Sequence, residues 1–277
     1  MTTEIDTSRI ADIEGEVERI YGEVFPQGDA TFVGKVFGWV NDAFTGKYRD
    51  YQAIDARYHN LEHTLQVTLC MARLLRGRHF AGATPGLSQR IFELGILAIL
   101  LHDTGYLKKR GDNEGTGAKY TLVHVERSAE FAGEMLREQK FSASEIQAIK
   151  NMIRCTGVNV KLDSIPFQNE EERIAGFALG TGDLLGQMAA RDYIRKLPIL
   201  YLEFAEASQF NKGEIDAEEM FSSAEDLMQK TPAFWEKFVK RKIENDFLSQ
   251  YRFLNDPYPD GENWYVRRIE ENIAQIC

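Results

Sequence analysis

The sequence predicts an all-α fold. Apolar residues recur at helical spacing along most of the chain, and no window alternates with strand period between hairpin signals. Helix caps and breakers punctuate that pattern at intervals of helix length.

The first two amphipathic segments are Ile10 to Val24 and Phe32 to Phe44. A third runs from His59 to Arg76, with Leu61, Leu65, Leu69 and Leu74/Leu75 near helical spacing. Turn residues fill 81–88, and Ser88 is a fitting N-cap for a helix over 89–103. Residues 111–117 have loop composition. Further helices are expected at 122–139, 143–156, 170–186 and 189–209, with Ser142 or Ser144 capping the second and Pro198 kinking or interrupting the last. The final third reads as helices at 215–229, 232–254 and 263–275, the last two separated by Asn255-Asp-Pro-Tyr-Pro-Asp-Gly261. There is no repeat of fixed period and no Ser/Gly-rich linker, so residues 1–277 read as a single helical domain.

With 277 residues and 43% apolar content the chain can bury a sizeable core. A net charge of -10 argues against nucleic acid as a partner, because counterion displacement needs a basic surface. It leaves room for a small phosphorylated substrate, since a bound cation reverses a local field. The cysteines, Cys70, Cys155 and Cys277, are widely spaced and form no CxxC pair, which fits a reducing, cytoplasmic setting. The start of the chain lacks the basic and apolar regions of a signal peptide. The longest apolar run, Gly95 to Leu101, is far shorter than the roughly 20 residues of a membrane span, and reads as a buried helix.

Chemistry concentrates on few residues. Of five histidines, His59 and His63 stand four apart, a spacing that puts two imidazoles on one helix face about 40° apart. Imidazole is the commonest protein ligand for transition metals. His102-Asp103 closes the apolar run Ile96 to Leu101; an unpaired carboxylate there is costly to bury unless a metal compensates it. Gly105 fits a turn that lets both neighbours face one ion. Asp183 is another lone carboxylate among small and apolar residues. An isolated histidine on an amphipathic helix is ordinarily structural or exposed, and His79 reads that way.

The order His63, His102-Asp103, Asp183 resembles the signature of the HD superfamily, all-helical metal-dependent phosphohydrolases. Tyr58-His-Asn-x-x-His63 is similar to the opening motif of cyclic-nucleotide phosphodiesterases and of bacterial predicted HD phosphohydrolases. His124-Val-Glu-Arg-Ser-Ala129 resembles the helix that follows the HD pair, and Asp183-Leu-Leu with Tyr193, Ile194-Arg195 and Glu203-Phe204 is similar to the bacterial branch. The resemblance covers residues 55–205 and implies an HD-domain helical bundle with additional C-terminal helices over 210–277. Two departures bear on a second metal: Tyr106 stands where the phosphodiesterases carry a further His, and Ile153-Arg-Cys-Thr-Gly157 lacks the histidines of dinuclear members.

The resemblance implies a divalent ion on His63, His102, Asp103 and Asp183, with manganese, iron, cobalt, nickel or zinc suiting the mixed ligands. A weaker second ion, magnesium included, would rest on His124 and Glu126. His59 is then the candidate general acid, and Asp103 or Asp183 a candidate to orient the attacking water. Asn60, Lys108, Lys109, Arg110 and Arg127 are candidates to hold a substrate's phosphate, probed against the bland expectation that Lys108-Lys-Arg110 is a solvated loop. The expected substrate is a nucleotide or other small phosphorylated metabolite, hydrolysed by metal-activated water; homo-oligomerisation stays open. The rival readings are a non-catalytic nucleotide-binding or sensing protein and an HD-fold di-iron oxygenase, the latter needing a fuller second ligand set.

Overall fold

A computed structural model describes residues 5–158, 160–211 and 221–276. The fold is all-α: the described residues form ten α-helices, joined by short 3-10 and π turns, and one two-stranded ribbon. Helices α1 (Ile10–Val24) and α2 (Phe32–Phe44) match the sequence expectation end to end. They pack on α3 (Leu61–Phe80) and α4 (Gln89–Leu101) through Ile13, Val17, Ile20, Val36 and Phe37, all fully buried. Next come α5 (His124–Glu138), α6 (Ala143–Arg154), α7 (Glu170–Met188) and α8 (Tyr193–Phe210). The last two are α9 (Ala224–Phe234) and α10 (Trp264–Ile273).

Local chemistry explains the boundaries. Ser88 accepts from the Ile91 amide at the start of α4, and Ser142 forms a reciprocal capping box with Glu145 at the start of α6. Such caps contribute about 1 kcal/mol each. The third helix begins two residues later than expected, because Asn60 takes the N-cap position and accepts from the His63 amide at 3.1 Å. Pro198 does not end α8: in the second turn of the helix it forfeits one backbone bond, and the helix runs on to Phe210.

The expected helix over 232–254 is replaced by π turns at Trp235–Val239 and Lys242–Asp246 and a 3-10 turn at Gln250–Leu254. Trp235, Val239, Ile243 and Phe247 recur every fourth residue, and each is at most 1% exposed. Over three such steps an ideal α-helix would rotate the series by about 120°. Widened turns keep all four on one buried face. The expected 215–229 helix starts outside the described residues; its described part begins at Ala224. The Asn255–Gly261 break becomes the ribbon β1 (Asn255–Asp256) and β2 (Glu262–Asn263), paired antiparallel.

The centre of the molecule is the contact between α3 and α7. A Cβ on Gly186 would come within 2.7 Å of the Val67 Cα, and one on Gly182 within 2.9 Å of the Met71 Cβ. Two glycines one turn apart therefore let the helices approach backbone to backbone, and Asp183 lies in that seam. The C-terminal layer packs back onto it: Asn272 donates to the Met188 and Ala190 carbonyls at 2.8 and 2.9 Å, while Tyr265 and Ile269 are buried. Among the described residues no helix is long and apolar enough to cross a membrane.

Candidate metal centre

Four side chains from three helices converge in the interior. His63 comes from the first turn of α3 and Asp183 from the middle of α7. His102 is the C-cap of α4, and Asp103 opens the 3-10 turn that follows. His63 Nε2 lies 3.1 Å from Asp103 Oδ2 and 3.6 Å from Asp183 Oδ1. His102 Nε2 lies 3.2 and 3.5 Å from the same two oxygens. His63, His102 and Asp103 form a buried group whose ligand atoms are all mutually within 4.8 Å, a possible metal site. Donors bound at about 2.0–2.2 Å around one ion stand roughly 2.8–3.6 Å apart, as these do.

Hydrogen bonding favours the same use. The Ile99 carbonyl is 2.7 Å from His102 Nδ1 and can only accept, so Nδ1 carries the proton and Nε2 keeps its lone pair. His102 Nε2 and Asp103 Oδ2 are buried with no hydrogen-bond partner. Lone pairs aimed at one point and left unsatisfied are costly unless a cation joins them. The donor set therefore fits a metal ion.

The two histidines and two aspartates stabilise one another's charged forms. Burial works against ionisation of all four groups. Even so, Asp103 and Asp183 hold the His63 imidazole above its usual range, and Asp103 and Asp183 hold His102 well above it. The two histidines in turn hold both carboxyls below the ordinary carboxylate range.

Around the cluster three rings stack. Tyr106 lies between His59, at 4.5 Å and 8° between ring planes, and His124, at 4.7 Å and 25°. His59 precedes α3 rather than sharing its face with His63, yet their rings are 5.4 Å apart. His59 Nδ1 donates to Glu203 Oε2 at 2.6 Å, and Glu203 Oε1 accepts from the Tyr58 amide at 2.7 Å. Burial raises the Glu203 pKa, but His59 and these hydrogen bonds win and keep the carboxyl below its usual value. His124 donates Nδ1–H to the Thr121 carbonyl at 2.6 Å and turns Nε2 toward Asp103 Oδ1, 3.9 Å away. Burial lowers the His124 pKa, so this imidazole is neutral at pH 7.

Gly105 has a steric reason rather than a conformational one. A Cβ there would collide with the His124 carbonyl oxygen, and its amide donates to Ser128 Oγ at 2.8 Å. The turn after Asp103 and the start of α5 thus touch only because residue 105 is glycine.

Other expected site residues are engaged elsewhere. Glu126 was expected beside a second ion, but both its oxygens are held by the Arg154 guanidinium at 2.8 Å each, and its side chain is largely exposed. His124 Nε2 faces Asp103 Oδ1, while Glu126 is turned to Arg154. Asn60, besides capping α3, donates to the Arg57 carbonyl at 2.8 Å. Lys108 is buried and holds Asp55 Oδ2 at 2.8 Å and the Gly115 carbonyl at 2.7 Å. Lys109 and Arg110 are exposed, Lys109 over the Tyr51 ring and Arg110 donating to the Gly46 carbonyl at 3.2 Å. Arg127 binds the Gly105 and Leu107 carbonyls at 2.7 and 2.9 Å and covers the Tyr120 ring. Among the described residues none of these cations pairs with the cluster; Arg127 steadies the turn that carries it.

Two residues went unassigned from sequence. Glu203 stands on the buried face of α8 with Tyr193, Leu197 and Ala207, and a carboxylate on such an apolar stripe is the signal that could have found it. Lys242 lines a narrow cleft with Asp183, Thr156, Phe238 and Phe247, its ammonium 3.6 Å from Asp246. It belongs to an irregular π turn, where helical periodicity gives no guide to facing.

No curated protein matches the chain. The sequence matches the Npun_R2479-like family over residues 8–117 and 110–256, which between them carry His63, His102, Asp103 and Asp183, and the chain therefore belongs to that family.

Proposed function

We propose that this protein is a metal-dependent phosphohydrolase of the HD type, cleaving a phosphoester of a nucleotide or other small phosphorylated metabolite. One observation carries the reading: His102 Nε2 and Asp103 Oδ2, buried without hydrogen-bond partners, meet His63 Nε2 and Asp183 Oδ1 at ligand spacing. When bound, a divalent transition metal supplies Lewis acidity, polarising the phosphoryl group and acidifying water.

The chain's own residues supply the remainder. Asp103 Oδ1, directed at His124 Nε2, is placed to orient the attacking water. The attacking water gives up a proton to solvent as it adds to phosphorus, the ester P–O bond breaks, and His59 delivers its Nε2 proton to the departing oxygen. Glu203 fixes that role, because its carboxylate binds Nδ1–H and stabilises the ring while it carries the second proton. Tyr106 holds the His59 plane by stacking. The buried His–Glu pair beside the cluster favours catalysis over a purely structural clasp, which needs no proton donor.

The test is turnover of p-nitrophenyl phosphate, bis-p-nitrophenyl phosphate, cyclic nucleotides and nucleoside triphosphates with manganese, iron or zinc. His59→Ala should retain metal and lose turnover by about 100-fold or more. A variant that keeps both would remove His59 from the mechanism.

A further inference from the structure

A cleft of about 550 Å³ opens between α3, the end of α7, the start of α8 and the start of α10. None of His63, His102, Asp103 or Asp183 lines it. We propose that it binds a small anion carrying a flat ring, a nucleoside phosphate in the simplest case, at a site separate from the metal centre.

Three arginines from different segments line the cleft: Arg73 on α3, Arg191 between α7 and α8, and Arg195 on α8. Arg73 also lies 3.8 Å from Glu16 and donates to the Tyr265 hydroxyl at 3.4 Å, and three acids, Asp6, Glu62 and Asp192, line the same cleft. The acidic residues of the same cleft are engaged locally. Glu62 and Asp192 both hold the Lys196 ammonium, each at 2.9 Å, and Asp6 accepts from the Ser8 amide and hydroxyl at 3.0 and 2.6 Å. Arg195 is exposed and has no ion-pair partner among the described residues. A guanidinium fork on a cleft wall matches phosphate or carboxylate geometry.

The opposite wall supplies the second half of the recognition. Trp264 and Tyr265 open α10, with Trp264 half-buried and Tyr265 fully packed beneath it, rings 4.9 Å apart. An indole face at the rim of a charged cleft is a stacking platform for a base. The volume falls within the range of small-molecule sites, about 300–1,000 Å³. Gln66 adds an amide able to donate and accept toward a ring edge.

Calorimetric titration with AMP, adenosine and inorganic phosphate tests this, using chelator-treated wild-type protein and Asp103→Ala so that the metal centre is silent. AMP should saturate both at concentrations below about 1 mM, and more tightly than adenosine or phosphate alone. The double substitution Arg191→Ala/Arg195→Ala, at two exposed positions, should weaken AMP binding about tenfold or more. Trp264→Phe should leave binding largely intact, whereas Trp264→Ala should reduce it. Absence of saturable AMP binding would overturn the proposal. So would binding that vanishes in the metal-free proteins and ignores the arginine pair, which would place the nucleotide at the metal centre. Turnover at that centre is read separately and bears only on the hydrolase assignment.

Discussion

His59 Nδ1 donates to Glu203 Oε2 at 2.6 Å, joining the segment before α3 to the middle of α8 across 144 residues of chain. The same carboxylate accepts from the Tyr58 amide, so it sets both the position and the tautomer of the imidazole beside the His–Asp cluster. Glu203→Gln keeps the size but removes the charge. Turnover should fall about 10- to 100-fold with metal content unchanged. Steady-state kinetics beside elemental analysis separate this outcome from a general loss of structure.

The same residue predicts a pH dependence of stability. Glu203 titrates below its unfolded value of about 4.3, so its stabilising contribution is complete above that pH and is lost as pH falls through the lower folded value. The stability difference between wild type and Glu203→Gln should therefore shrink on acidification from about pH 5 to pH 3. Urea midpoints across that window read it; a difference that grows toward low pH would reverse the sign of the argument.

The seam between α3 and α7 should tolerate no side chain at Gly186, where a Cβ would stand 2.7 Å from the Val67 Cα. Gly186→Val should cost about 1–3 kcal/mol by overpacking and separate Asp183 from His63. The expected result is a lower urea midpoint together with weakened metal binding. A variant as stable as wild type would mean that the helices part more easily than their packing implies.

Both oxygens of Glu126 are held by the Arg154 guanidinium. Glu126→Ala should leave metal stoichiometry and turnover unchanged, with stability altered by less than about 1 kcal/mol. Loss of an ion in that variant would restore Glu126 to the ligand set.

What could be read from the sequence follows from how local each signal is. Ser88 and Ser142 cap the helices they were expected to cap, because a cap is decided by three or four consecutive residues. The cluster was legible because His63, His102-Asp103 and Asp183 are scarce residue types in apolar surroundings. The partners of the neighbouring charges were not: Lys108, Arg127 and Glu126 are near the motif in sequence, but Asp55, the Gly105 carbonyl and Arg154, which hold them, are set by tertiary packing. Glu203 reaches the site only through α8, and the widened turns over 232–254 depend on packing that local periodicity does not carry.

Metal content of the purified protein after equilibration with manganese, iron or zinc, measured beside Asp103→Ala, tests the central claim most directly. The account predicts about one tightly held ion per chain in the wild type and its loss in the variant. A wild-type protein that retains no ion, or an Asp103→Ala protein that retains the same amount, would contradict it.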